Sequence, residues 1–151
     1  MIQQFCDEYR WLSNFYPVEI TFDNITYPSV EHYYVALKIN NQQVIDGELY
    51  SLLDARKYIS TIENPGMVKK LGKKLKIRED WDEIKISVMK YGLNQKYNQE
   101  PFKTLLKETG NIHIQEGNYW GDTFWGIDLE TNIGKNILGK LIMKIRDKLL
   151  S

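Results

Sequence analysis

The chain has 151 residues, 20 of them basic and 20 acidic, with 42% hydrophobic and 26% charged residues. This length suits one domain around one core, and the composition excludes a disordered chain. The formal net charge of zero excludes a long-range basic field of the kind that grips duplex DNA, so affinity for a nucleotide or a nucleic-acid end would have to come from a specific pocket.

In chain order, the start Met1-Ile2-Gln3-Gln4-Phe5-Cys6 carries neither a basic cluster nor an apolar stretch, so no signal peptide is expected. No apolar run approaches the roughly 20 residues of a membrane span, so no membrane partner is expected either. Cys6 is the only cysteine and has no partner for an internal disulfide, which suits a reducing cytoplasm. Residues 11–17, WLSNFYP, read as an aromatic loop. Val18, Ile20 and Phe22 alternate with Glu19 and Thr21, Asp23-Asn24 signals a turn, and Ile25-Thr26-Tyr27 follows, which predicts a short β-hairpin. Ser29 predicts the N-cap of a helix through about residue 39. A second helix is expected from Asp46, with Leu49, Leu52, Leu53 and Arg56 in its turns.

Asn64-Pro65 predicts a further helix start, and Asp80-Trp81-Asp82-Glu83 reads as an Asp-type capping box. Behind it Trp81, Ile84, Lys85, Val88, Met89 and Leu93 recur at helical spacing. Pro101 opens a short helix with Phe102, Leu105 and Leu106, closed by Gly110. Residues 110–131 lose periodicity and are expected to form a long loop or short irregular pieces, the sort of segment that often carries function. Helical spacing returns through Ile133, Ile137, Leu138, Leu141, Ile142, Ile145 and Leu149. The expectation is an α+β fold in a single, mostly helical domain over residues 1–151, with a small N-terminal β element.

Chemistry can be sought in three places. Glu31 lies in the first turn of the helix after Ser29, where an acid complements the helix dipole. Residues seven apart share a helix face, so Glu31 and Lys38 flank Tyr34 on one stripe, and a carboxylate, a phenol and an ammonium beside an aromatic loop resemble a pocket wall. The second place is Glu116-Gly117-Asn118-Tyr119-Trp120-Gly121-Asp122, followed by Trp125-Gly126. It reads either as a glycine-rich turn with an anchoring indole or as backbone that approaches a ligand under a stacking face. The third is the run Lys69, Lys70, Lys73, Lys74, Lys76 and Arg78, either a solvated helix face or a set of phosphate contacts.

His32 and His113 are the only histidines and have no ligand spacing, so no metal is expected, and His32 reads as a packing or hydrogen-bonding residue. P-loop, Rossmann and serine-hydrolase motifs are absent, which argues against kinase, dehydrogenase and esterase chemistry.

Four blocks taken together resemble the NADAR, or YbiA-like, family. They are LSNFYP at 12–17, YPSVEHYYVALK at 27–38, the stretch from Arg78 to Met89 with Asp80, Trp81 and Lys85 in place, and YWGD at 119–122 followed by GKNILGKLIMKIR at 134–146. Two departures stand out. The segment Thr123 to Ile133 carries fewer glycines than the family's glycine-rich run, and Ile142 replaces a leucine, a mild core exchange.

The resemblance implies hydrolysis of an N-glycosidic bond at ribose C1′, with no metal or redox cofactor. Two substrate classes follow from it: ADP-ribose attached to guanine in nucleic acid, and ribosylamino-pyrimidine phosphates of the riboflavin pathway. It places the key glutamate on Glu31 and an acidic element on Asp122, which on a glycosidase mechanism is expected to orient the ribose or assist as a second acid–base group. Asn14, Phe15 and Lys38 fall on pocket positions and Trp81 and Trp120 on aromatic elements, while Tyr34, from the helix stripe, and Gly121, beside Trp120, are the remaining substrate-binding candidates. Asn136 falls with Gly139 in the C-terminal motif, where both can be structural. A module that binds ADP-ribose without cleaving it is the alternative from another class, because a fold does not fix an activity. A partner-binding role for the basic run is a third.

Overall fold

The computed structural model describes residues 1–151, whose contacts fall into two units, Asn14–Lys96 and the paired segments Met1–Ser13 and Tyr97–Ser151.

In the first unit, β1 (Ile20–Phe22) and β2 (Ile25–Tyr27) form the expected hairpin, pairing Ile20 with Tyr27 and Phe22 with Ile25. The turn residues Asp23 and Asn24 both take positive φ, 52° and 64°, as a tight two-residue hairpin loop requires. Ile20, Ile25 and Tyr27 are buried. Ser29 caps α1 (Val30–Leu37) by accepting a hydrogen bond from the His32 amide at 3.2 Å.

The helix expected from Asp46 does not start there. Instead β3 (Gln43–Ile45) and β4 (Glu48–Tyr50) form a second antiparallel hairpin. Asp46 and Gly47 form its turn, with φ of 50° and 80°. The helix begins later, as α2 (Leu52–Thr61), capped by Ser51, whose hydroxyl accepts from the Asp54 amide at 3.1 Å. Arg56 in α2 is buried and donates to the carbonyls of Ala36 at 3.0 Å and Ile39 at 2.8 Å, which satisfies acceptors at the end of α1.

The Asn64-Pro65 start is borne out. Asn64 Oδ1 accepts from the Gly66 amide at 2.8 Å and opens α3 (Pro65–Gly72). The long helix α4 (Trp81–Tyr97) follows. Its expected capping box is not formed. The Asp80 carboxylate is taken by Arg78, at 2.6 Å to Nε and 3.2 Å to Nη2, and Asp80 serves the helix through its carbonyl, which accepts from the Glu83 and Ile84 amides.

In the second unit, a 3-10 helix, Asp7–Leu12, takes in Trp11 and Leu12, the first two residues of the expected aromatic loop, and buries both. α5 (Phe102–Glu108) ends near Gly110, whose φ is 62°. The stretch 110–131 is irregular, as expected, but holds two short strands. β5 (Gly117–Asn118) pairs in parallel with β6 (Ile127–Asp128), and Ile2 bridges to Ile114. α6 (Ile137–Leu150) closes the chain. Ile133 stays outside it, bridged to Asp128 and 65% exposed, so the helix begins four residues after the first position of the expected spacing. Arg146 on α6 donates to Thr109 Oγ1 at 3.0 Å and to the Ile112 carbonyl at 2.7 Å, anchoring the turn after α5.

The architecture is α+β, with three two-stranded ladders in place of one N-terminal β element. No helix is long and apolar enough to cross a membrane.

Candidate active site

Within Asn14–Lys96, the stripe expected on α1 is present. Glu31 occupies the first turn and Lys38 the C-cap of the same helix. The amide of Glu31, one of the donors a helix start leaves unpaired, donates to the Asn14 carbonyl at 3.0 Å. This bond ties the SNFYP segment to the carboxylate-bearing turn.

The Lys38 ammonium lies 5.2 Å from the centre of the Tyr34 ring, a cation–π approach. Tyr34 in turn meets Trp81 edge-on, with ring centres 5.0 Å apart. Glu31, Tyr34, Lys38 and Trp81 therefore stand together on α1 and the start of α4. Asn14 joins them through its backbone and through its amide group, which lies 3.5 Å from Met89 Sδ on α4.

The charges on this wall influence one another. Burial pushes the Glu31 carboxyl above the usual carboxylate range, while Lys38 and then Lys69 draw it back down. Burial pushes the Lys38 ammonium down and Glu31 holds it up, with Lys69, Lys73 and Lys85 pressing it lower. Two partly buried groups of opposite sign, each disfavoured by desolvation and favoured by the other, are the arrangement expected of a working acid–base centre.

Asn14 Oδ1 is buried and makes no hydrogen bond within the protein. A buried acceptor of this kind is rare and suits a hydroxyl or N–H donor brought by a ligand.

The aromatic positions differ in what they can offer. Trp81 is only 8% exposed, so its expected stacking on a base meets a ring committed to packing behind Tyr34. Phe15, next to Asn14 in the chain, is 39% exposed. His32 is a structural residue, as expected. Its ring is buried between Ser29 Oγ and the Ile62 carbonyl, each at 2.6 Å. Nε2–H donates to that carbonyl, which leaves Nδ1 to accept from the serine hydroxyl.

Trp120, Gly121, Asp122 and Asn136 belong to the other unit. Asp122 Oδ1 accepts from the amides of Phe124 and Trp125, at 3.0 and 2.9 Å, while the Asp122 amide donates to Asn118 Oδ1. These bonds order the loop that carries Trp120, which is 63% exposed. Gly121 has φ of 79° with open space around it, so it is a left-handed turn residue and not a point of close approach. Asn136 is buried at φ 51°. Its side chain accepts from the Glu116 amide and donates to the Ile114 carbonyl, both at 3.0 Å, which is a structural task.

Of the basic run, which the sequence leaves undivided, Lys69 acts electrostatically on Glu31 and Lys38, and Lys73 on Lys38. Their spacing around Gly72 was the available signal, since positions 69, 72 and 73 share one helix face.

Residues 2–150 match the model of the NADAR domain. The chain is 29% identical over 150 residues to the N-glycosidase YbiA of Escherichia coli (strain K12), covering 95% of this chain and 83% of that protein. It is 30% identical over 146 residues to a riboflavin biosynthesis protein of Vibrio vulnificus (strain YJ016), covering 95% of this chain and 36% of that one. A chloroplastic riboflavin biosynthesis protein of Zea mays, PYRR, is 31% identical over 154 residues, and the chain covers 24% of it. This chain thus corresponds to one part of those two longer proteins. The NMR structure of E. coli YbiA superposes with a TM-score of 0.77 at 27% identity, over 99% of this chain and 87% of that one.

Proposed function

The chain belongs to the NADAR domain family, and from that premise we propose that it is an N-glycosidase acting on a nucleotide-type substrate, removing ADP-ribose from guanine in nucleic acid. The observation that carries the reading is the Glu31 carboxylate, desolvated and coupled to Lys38 at the head of α1.

Cleavage of the bond between C1′ and the base nitrogen passes through an oxocarbenium-like state, with positive charge on the sugar. Glu31 stabilises that charge and takes a proton from the water whose oxygen bonds to C1′. The departing nitrogen keeps the electron pair of the broken bond and is protonated. Lys38 keeps Glu31 ionised for this work. Asn14 Oδ1 accepts a hydrogen bond from a sugar hydroxyl, and Phe15 offers a face to the base. Asp122, with one oxygen held by two backbone amides, is assigned to the order of its own loop.

The test is Glu31→Gln. Turnover falls by at least about a hundredfold, the scale of a lost general base, and the fold survives. The thermal signature has a definite sign. Burial raises the Glu31 pKa, so the folded chain favours the neutral acid. Ionised Glu31 therefore costs stability, a cost absent below the ordinary carboxylate range and growing as pH rises through the raised value. Neutral Gln escapes it, so the variant melts at or above the wild-type Tm at pH 7. Normal turnover in the variant would remove Glu31 from the mechanism.

The similarity to two riboflavin biosynthesis proteins supports a second reading, in which the substrate is a ribosylamino-pyrimidine phosphate. Product analysis by mass spectrometry separates them. Guanine-ADP-ribosylated single-stranded DNA and the pyrimidine phosphate are offered separately to wild type and to Glu31→Gln. Cleavage of the first alone supports the nucleic-acid reading, and cleavage of the second alone moves the activity to small molecules. Binding of ADP-ribose with cleavage of neither supports a non-catalytic reader.

A further inference from the structure

The two ends of the Asn14 amide are treated differently by the protein. Its Nδ2 donates to Met89 Sδ on α4 at 3.5 Å, while its Oδ1 is buried and accepts no hydrogen bond within the protein. A thioether sulfur accepts a hydrogen bond and donates none, so it takes the nitrogen side of an amide and refuses the oxygen. Met89 is itself only 2% exposed, so water does not compete for this contact. The sulfur thereby selects one of the two orientations open to the amide, and the oxygen is turned away from it, unpaired. Leucine would fill nearly the same volume and select neither orientation.

A direct bond sets this amide beside Glu31. The Asn14 carbonyl accepts from the Glu31 amide at 3.0 Å, so the two side chains leave neighbouring points of the backbone. On the N-glycosidase reading Glu31 works at C1′, and the sugar hydroxyl next to C1′ is the one on C2′. An oxygen that can only accept requires a donor, and that hydroxyl is one. A deoxyribose carries a C–H at C2′ and would leave the acceptor unpaired, which is how a polar site rejects an analogue lacking one hydroxyl.

We propose that Asn14 recognises the C2′ hydroxyl of the sugar being released, and that Met89 is the positioning residue that turns the Asn14 oxygen toward it. This deepens the N-glycosidase reading and rests on it. Asn14 as a whole is half-buried, so a small shift uncovers the oxygen as the sugar enters. The consequence is a chemical selection. Every nucleotide of a DNA strand has a base–sugar bond on a deoxyribose, and the site passes over these while accepting a ribose attached to a base.

The probes are ribose 5-phosphate and 2-deoxyribose 5-phosphate, which differ at this one position, with affinities measured by NMR titration. Wild type prefers the ribose about tenfold or more, the scale of a buried acceptor left unpaired. Asn14→Leu abolishes the preference. Met89→Leu weakens ribose 5-phosphate by at least about twofold, because the amide now divides between its two orientations. It leaves 2-deoxyribose 5-phosphate as it was, whereas a merely structural role for Met89 would weaken both sugars alike. Asn14→Asp has an acceptor on either side of the group, so it keeps the preference and no longer responds to an added Met89→Leu. Circular dichroism checks that each variant is folded.

Equal affinity of wild type for the two sugars, or binding of neither, overturns the recognition of the hydroxyl. A preference unchanged in Met89→Leu, or parallel losses for both sugars, overturns the role of Met89. The product analysis above is read separately. A preference that depends on Asn14 and Met89, with neither substrate cleaved, leaves the sugar site standing while the glycosidase reading falls. Cleavage without the preference does the reverse.

Discussion

At the scale of single residues, Glu31 and Lys38 have to be considered as a pair. Each is made less willing to ionise by burial, and each is kept ionised by the other. Removing the lysine charge therefore acts on the acid. Lys38→Met deletes the larger of the two interactions that lower the Glu31 pKa, so that pKa rises further. The acid limb of the kcat/KM profile then moves to higher pH, while Lys70→Met on the exposed face leaves it in place. A profile that keeps its acid limb in Lys38→Met would separate the two groups. The pair itself was legible in the sequence, because seven-residue spacing on a helix is enough to align Glu31, Tyr34 and Lys38. The division of the basic run was not. Which lysines face α1 depends on how closely two helices pack, and that depends on Gly72 having no side chain to hold them apart.

At the scale of elements, the region 43–50 shows how local signals compete. Leu49, Leu52, Leu53 and Arg56 mimic helical spacing, yet Asp46-Gly47 is a strong turn pair, and the turn prevails. Leu49 pairs with Val44 across the hairpin and is 66% exposed, so the first residue of the expected helical spacing does not lie in the core. Gly47→Ala tests the turn by sign. At φ 80° an alanine is strained, so the variant loses about 1 kcal/mol in urea unfolding. Were the segment helical, the same change would stabilise it. Elements with a single strong signal were read correctly, among them the Asp23-Asn24 turn, the Ser29 cap and the Asn64-Pro65 start. At Asp80 the residue type was right for a cap, but an arginine two positions earlier offered the carboxylate a better partner.

At the scale of the whole molecule, one buried cation sets a pH dependence of stability. Lys96 is fully buried, and burial pushes its pKa down to about 7. Between that value and the ordinary lysine range the unfolded chain binds a proton that the folded chain has released, so stability rises as pH increases through this interval. Below it both states are protonated and the cost of the buried charge is present in full. Lys96→Met flattens the alkaline rise in Tm measured from pH 7 to pH 10, and an unchanged slope would assign the rise to other groups. The order of the two units along the chain has a further consequence. Ile2 exchanges backbone hydrogen bonds with His113 and Gln115, and Gln3 accepts from Gly117. Along the polypeptide, Asn14–Lys96 is translated, and leaves the ribosome, ahead of those partners. The segment carrying Ile2 and Gln3 therefore waits for these partners until Gly117 has emerged. Nascent chains stalled with Gly117 still inside the ribosome and with Gly117 outside it should differ sharply in protease sensitivity around Ile2 and Gln3.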